Sequence, residues 1–294
     1  MKKVIFIGGT SRSGTTLLDL ILANDSRAKS LGEIVNIFNP TRKHHFKEVE
    51  KLKSDSKWSE IIEKKVKNLY PTLLEYFPEI DFFVDSSKDP FWYKKHLDHK
   101  RRGYEIKKVI IYKTPVELAK SFMKRDQEKK WIKQYIYRHK LYFRIFDDFV
   151  SIPYKDLIVN EKVLEKLCEH LGIKYYEAKR RYWENQYSTF FGSNSVRQAN
   201  SQDANRQLNK ITREGLSYTS VKNESVIQFV SKIKQRNPEL NEIEEALNDK
   251  SILNDSEKKS SSSLRINNLV YSLIYLRRLF KMKFRYFFPE DYFG

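Results

Sequence analysis

The segment IGGTSRSGTT, residues 7–16, follows the short β-branched and aromatic run Val4–Ile7 and precedes TTLLDLILAN, whose apolar residues recur at helical spacing. A strand, a glycine turn and a helix in that order constrain the fold more than any other stretch of the chain. Gly8, Gly9 and Gly14 permit a tight turn that aims successive N–H groups at an anion, and the helix opening near Gly14 adds the positive end of its dipole. Aligned with the pattern GxxxxGKS or GxxxxGKT, Gly9 and Gly14 keep the spacing, but Thr15 stands at the lysine position and Arg12 is the nearby cation.

That departure narrows the chemistry. A magnesium-bound triphosphate uses the missing lysine on its β and γ phosphates. A single 5′ phosphate carrying a sulfuryl group needs only backbone donors, hydroxyls and one planar cation. Arg12, Ser13, Thr15 and Thr16 supply those.

The 294 residues suffice for one large α/β domain with an appendage. A 40% hydrophobic and 14% aromatic content excludes a disordered chain, and 56 basic against 38 acidic side chains leave a net charge of +18. That charge points to an anionic partner without ranking nucleic acid, membrane surface, nucleotide or polysaccharide, and it also suits a solvated lysine-rich surface. The one cysteine, Cys168, continues an apolar helical face in EKLCEHLGI and reads as buried filler. The opening MKKVIFIGG imitates a signal peptide, but its apolar run ends at a glycine turn, so a core strand and a cytoplasmic location are expected. The six histidines show no metal-ligand spacing, and no metal is expected.

Further strands are expected in FFVDSSKDP (residues 82–90), KKVIIYKTP (107–115) and SIPYKDLIVN (151–160). Helices are expected from about Trp58 to Leu74, in VELAKSFMKR, across the amphipathic stretch Trp131–Phe149, and in EKVLEKLCEHLGI, closed by Gly172. The alternation implies a P-loop-type, doubly wound parallel sheet flanked by helices over residues 1–250. Residues 175–213 read as an ordered loop region over a ligand. SEKKSSSS marks a polar hinge within 251–263, and 264–294 is a basic amphipathic helical tail. The tail's uncharged run Ile266–Leu276 falls short of the roughly 20 residues that span a bilayer. Two readings of the tail stay open: an interfacial helix on acidic lipid at the inner membrane surface, or a segment docked on its own domain or on a second subunit.

Four ordered motifs, GGTSRSGTTLLDLIL, SLGEIVNI, VDSSKDPF and VIIYKTPVELAKSFMKR, with weaker echoes in PYKDLI and GSNSVRQ, resemble the sulfotransferases that use 3′-phosphoadenosine 5′-phosphosulfate (PAPS). The resemblance is strongest to the protein-tyrosine sulfotransferase branch and its bacterial relatives. It implies that Arg12, Ser13, Gly14, Thr15 and Thr16 hold the 5′ phosphosulfate. It also implies a 3′-phosphate clamp from Lys113, Ser121 and Arg125, with Lys113-Thr114 standing where the family usually has Arg-Asp. A lysine meets phosphate as a point charge, not as a planar fork, which shifts weight to Arg125 and Arg197. Tyr154 corresponds to a tyrosine near the nucleotide, though a buried strand tyrosine is as ordinary. Ser193 and Arg197 belong to a late loop that closes on the donor.

By the same resemblance Glu33 is the general base and Lys88 faces the bridging oxygen between phosphate and sulfate. Glu33 also fits a salt-bridging role to Arg12 or Lys88, and Lys88 a strand-end lysine. Ser86 and Ser87 bind the donor or cap the turn, and Asp85 is structural or orients Lys88. The expected activity is sulfuryl transfer from PAPS to a hydroxyl of a carbohydrate or glycolipid, because the basic, aromatic region 40–75 and the Trp131–Phe149 segment suit an acidic sugar stacked on rings. No nucleic acid is expected as partner. The alternatives are an ATP-dependent small-molecule kinase using the same loop, and a non-enzymatic basic protein of membrane surfaces or nucleic acid.

Overall fold

The structure, a computed structural model, describes residues 1–64, 68–97, 103–127, 130–146, 148–184, 189–192, 211–212, 215–216 and 218–254, with positions 272, 273 and 276. The expected loop region therefore lies mostly outside the described residues, as do the SEKKSSSS hinge and nearly all of the tail.

Strand β1 (Lys2–Gly8) alternates its side chains between two cores, as a strand with period two must. Val4 and Phe6 enter one apolar cluster, Ile5 and Ile7 the other. Helix α1 (Thr15–Ala23) is buried along its whole length against the second face and leads to β2 (Ala28–Gly32). The chain then builds α2 (Val35–Phe38), α3 (Lys43–Lys53), α4 (Ser56–Glu63) and α5 (Leu69–Tyr76) before β3 (Phe82–Asp85). Helix α6 (Pro90–Leu97) precedes β4 (Tyr104–Tyr112), whose second half is fully buried.

Helices α7 (Pro115–Met123) and α8 (Lys130–Ile145) follow on the first face, placing Leu118, Phe122, Trp131, Tyr135 and Tyr142 in its cluster. Strand β5 (Val150–Pro153), α9 (Tyr154–Val159) and α10 (Glu161–Leu171) return to the second face, where Val163, Leu164, Leu167 and Cys168 pack. Gly172 ends α10 in the left-handed conformation at φ 61°, the glycine cap read from the sequence. Two more helices, α11 (Glu224–Arg236) and α12 (Glu239–Asp249), add Val226, Val230, Leu240 and Leu247 to the first core.

Strands β1 to β5 form one parallel sheet in the order β2-β3-β1-β4-β5, with Phe6 opposite Asp85 and Ile7 opposite Val109, and Ile211–Thr212 and Gly215–Leu216 form a separate antiparallel pair. From β1 the chain first builds one side of the sheet, then crosses to β4 on the other, so strand order reverses between β1 and β4. In open α/β sheets ligands bind at the carboxyl ends of the strands flanking such a point. The loop at residues 9–14 and the β4–α7 turn at Lys113 and Thr114 lie there.

Three local expectations need correction. The single helix expected from Trp58 to Leu74 is two helices, α4 and α5, and the polar stretch before it forms α3. Strand β2 was missed because AKSLG lacks an apolar run; its pairing with β3 supplies the strand, and the register shifts between Ser30 and Gly32. In SIPYKDLIVN the strand stops at Pro153, and YKDLIV is helical. Beyond α12, Ile252 N–H donates to the Ser151 carbonyl at 3.0 Å, so the segment expected to be a hinge from 251 starts on the edge of β5.

Helix α7 is held by a capping box: Glu117 N–H donates to the Thr114 hydroxyl at 3.3 Å and Thr114 N–H to the Glu117 carboxylate at 2.8 Å. Replacing Thr114 by Ala should cost about 1 kcal/mol and lower Tm by roughly 2–4 °C in thermal denaturation; an unchanged Tm would contradict this.

Candidate active site

The loop after β1 is built tightly on its inner side. A Cβ at Gly9, where φ is 148°, would lie 2.5 Å from the Ile111 carbonyl oxygen, and one at Gly14, where φ is 106°, 2.5 Å from the Tyr154 ring. Ser13 Oγ donates to the Thr10 carbonyl at 2.9 Å and closes the turn from within. Gly14 is the N-cap of α1, so the positive end of the helix dipole faces the loop. Arg12 has φ 74°, left-handed for a non-glycine residue.

The Arg12 guanidinium leaves the loop toward α7, its Nε donating to Ser121 Oγ at 3.4 Å. Both residues line a cleft of about 400 Å³ with Lys113, Lys120, Lys124, Arg125, Glu117, Tyr154 and Tyr218 among its walls. Lys113 Nζ lies 4.3 Å from the centre of the Tyr154 ring. Five cations against one carboxylate give the cleft its sign. That carboxylate, Glu117, takes the Thr114 N–H and the Tyr218 hydroxyl, so it serves the helix cap. Burial and then the like charge of Arg125 lower the pKa of Arg12, with Tyr154 opposing. The structure thus brings Arg12, Lys113, Ser121, Arg125 and Tyr154 to one cleft. Ser193 and Arg197 lie outside the described residues.

A second cluster forms on the β2–β3 side. Lys88 Nζ makes an ion pair with Glu33 Oε1, and Asn36 donates to Glu33 Oε2 at 3.2 Å. Glu33 N–H donates to the Phe190 carbonyl at 2.7 Å, and a Cβ on Gly32 would fall 1.9 Å from that oxygen. The glycine before Glu33 therefore admits the Phe190–Gly192 segment, and Gly192 in turn abuts Thr16 of α1. His45 packs edge-on against Phe191 with ring centres 4.9 Å apart, and burial, then His44 and Arg42, lowers its pKa to about 4.

The neighbouring polar residues serve the framework. Asp85 accepts from Tyr70 at 2.5 Å, Trp92 at 2.9 Å and Ser87 N–H at 2.7 Å. Ser87 Oγ accepts from Val35 N–H at 3.1 Å, and Ser86 Oγ donates to Asp19 at 2.6 Å. Sequence reasoning missed Asp19, Tyr93, Arg138, Tyr142 and Tyr218. The i,i+4 spacing of Arg138 and Tyr142 on α8 was the available signal for those two.

Residues 4–115 match the family model described as "Sulfotransferase family". No curated protein matches the chain. The sulfotransferase domain from the Synechococcus PCC 7002 olefin synthase shares the fold with a TM-score of 0.51 and 16% identity, covering 79% of this chain and 94% of that one. The sulfotransferase domain from the curacin biosynthetic pathway has a TM-score of 0.50 and 13% identity, covering 80% and 98%. At such identities the two structures speak for the fold. The family match thus rests on residues 4–115, and the two structures show that the fold over most of the chain is one that sulfotransferase domains share.

Burial, opposed chiefly by the Ser86 hydrogen bond, pushes Asp19 up to about 7. The folded state therefore holds that proton more tightly than the unfolded chain, and the stability it contributes is present at low pH and lost as pH rises through about 7. Relative to Asp19→Asn, the wild type should lose Tm steadily as pH rises from about 4 to about 7; a pH-independent difference between the two would refute the assignment.

Proposed function

We propose that this protein is a PAPS-dependent O-sulfotransferase acting on a hydroxyl of a carbohydrate or glycolipid. The observation that carries the reading is the continuity of the glycine loop with the five-cation cleft through the Arg12–Ser121 contact. A nucleotide phosphorylated on its ribose as well as on its 5′ oxygen needs two anion sites on one scaffold, and this arrangement supplies them. The donor set of hydroxyls, backbone N–H groups and cations fits such a ligand.

In this reading Arg12, Ser13, Thr15, Thr16 and the start of α1 bind the 5′ end, and Lys113, Ser121 and Arg125 bind the ribose phosphate beside Tyr154. Ser193 and Arg197 join from the late loop. PAPS supplies the activated sulfuryl group. Glu33 removes the proton from the acceptor hydroxyl, whose oxygen forms the new bond to sulfur as the bridging S–O bond breaks. Lys88, released from its ion pair with Glu33, meets the charge that grows on the departing phosphate oxygen, and Arg12 and the backbone amides of the loop share that charge. The pair holds the two groups adjacent in the free protein, which supports a reading in which the two roles that the sequence left open for Glu33 are successive stages of one cycle.

The kinase alternative loses support from Asp85, whose carboxylate is taken by Tyr70, Trp92 and Ser87 N–H, leaving it poorly placed for a metal-binding role. His44 and His45 on α3 contact Phe191, the residue after the Phe190 whose carbonyl accepts the Glu33 N–H, and aromatic rings this close to Glu33 favour a ring-bearing, polar acceptor such as a sugar.

Incubation with sulfate-radiolabelled PAPS and a glycan and glycolipid panel should transfer label. Glu33→Gln should lower that rate about 10²–10⁴-fold while 3′-phosphoadenosine 5′-phosphate (PAP) still binds. Phosphoryl transfer from MgATP with no transfer from PAPS would overturn the reading.

A further inference from the structure

Lys88 sits at φ 56°, in the left-handed region that a lysine enters only at a cost. Its backbone is held at both ends. The N–H donates to the Tyr93 hydroxyl at 3.0 Å, and Tyr93 in turn bonds the Ile7 carbonyl at 2.9 Å, at the end of β1. The carbonyl accepts from Arg138 Nη1 on α8. One turn further along α8, the Tyr142 hydroxyl donates to the Gly9 carbonyl at 3.2 Å, and Arg138 and Tyr142 also interact with each other. A single helix face therefore grips the glycine loop at Gly9 and the Lys88 turn at its carbonyl.

We propose that Arg138 is a positioning residue for the reaction: by holding the Lys88 carbonyl it keeps that turn left-handed and fixes Lys88 Nζ relative to the phosphate loop. The inference rests on the sulfuryl-transfer reading of Lys88. A cation that stabilises a developing oxyanion is effective only while its position is fixed, and a displacement of about 1 Å can cost 10²-fold in rate. Arg138 is suited to the task because its planar fork can serve the carbonyl and Tyr142 together, which a lysine's single ammonium does less well. Without it, the turn is free to relax to negative φ and carry Nζ away.

The experiment compares Arg138→Met, which keeps the apolar stem, Arg138→Lys, Lys88→Ala and the double variant Arg138→Met/Lys88→Ala. Three readouts are taken: PAP affinity by calorimetry, acceptor-independent hydrolysis of PAPS, and amide exchange at Lys88. In the hydrolysis, water oxygen bonds to sulfur, the bridging oxygen leaves with PAP, and sulfate is released together with the two protons of the water.

Arg138→Met should hold the PAP Kd within about threefold and cut hydrolysis at least tenfold, with Arg138→Lys recovering part of the rate. It should add almost nothing in the Lys88→Ala background. Amide exchange at Lys88 should rise with Tm unchanged. A rate loss that persists undiminished without Lys88, a matching loss of PAP affinity, or unaltered exchange at Lys88 would overturn the proposal. A wild-type protein that neither binds PAP nor consumes PAPS would refute the sulfuryl-transfer reading instead, and the exchange readout would then decide the clamp alone.

Discussion

The loop between β1 and α1 has no spare volume on its inner side, and the rest of the site is arranged around that fact. Ile111 of β4 and Tyr154 at the start of α9 occupy the space that a side chain at Gly9 or Gly14 would need. The loop is thereby pressed against the two strands on the far side of the switch point. Its one large side chain, Arg12, extends from a left-handed residue to Ser121 on α7. Packing of apolar strand ends thus fixes where a charged group is presented, and electrostatics acts on a geometry already set by sterics.

The charges on either side of this loop are kept apart. The cleft toward α7 is cationic, with its one carboxylate, Glu117, occupied by the helix cap and Tyr218. Toward β2 and β3, Glu33 and Lys88 neutralise each other in a half-buried pair that neither Asp85 nor Asp19 joins through a hydrogen bond among those described. Asp85 is engaged by Tyr70, Trp92 and Ser87, while burial raises the Asp19 pKa to about 7.

Much of the architecture was legible because its signals are local. The VIFI strand, the glycine turn, the VIIY strand and the Gly172 cap each carry their cause within a few residues. Strand β2 was not legible: AKSLG becomes a strand only because β3 pairs with it. The split between α4 and α5 escaped for the related reason that apolar periodicity runs on through residues 58–74. At the site, residues placed by motif, Arg12, Lys113, Ser121, Glu33 and Lys88, do fall into two clusters. Of the residues that bond the Lys88 turn and the glycine loop, Tyr93 lies on the helix just after Lys88 while Arg138 and Tyr142 come from the sequence-distant α8, and their partners are backbone carbonyls and amides that no side-chain pattern reveals.

The central claim is that the glycine loop and the cationic cleft form one nucleotide site, with the ribose phosphate read by Ser121 and Arg125. Calorimetric titration of the wild type and of Arg125→Ala with PAP and with adenosine 5′-phosphate tests it most directly. The account predicts that PAP binds the wild type at least tenfold more tightly than adenosine 5′-phosphate, a gap of about 1.4 kcal/mol or more, and that most of the gap closes in Arg125→Ala. Equal affinity of the two nucleotides for the wild type would contradict it.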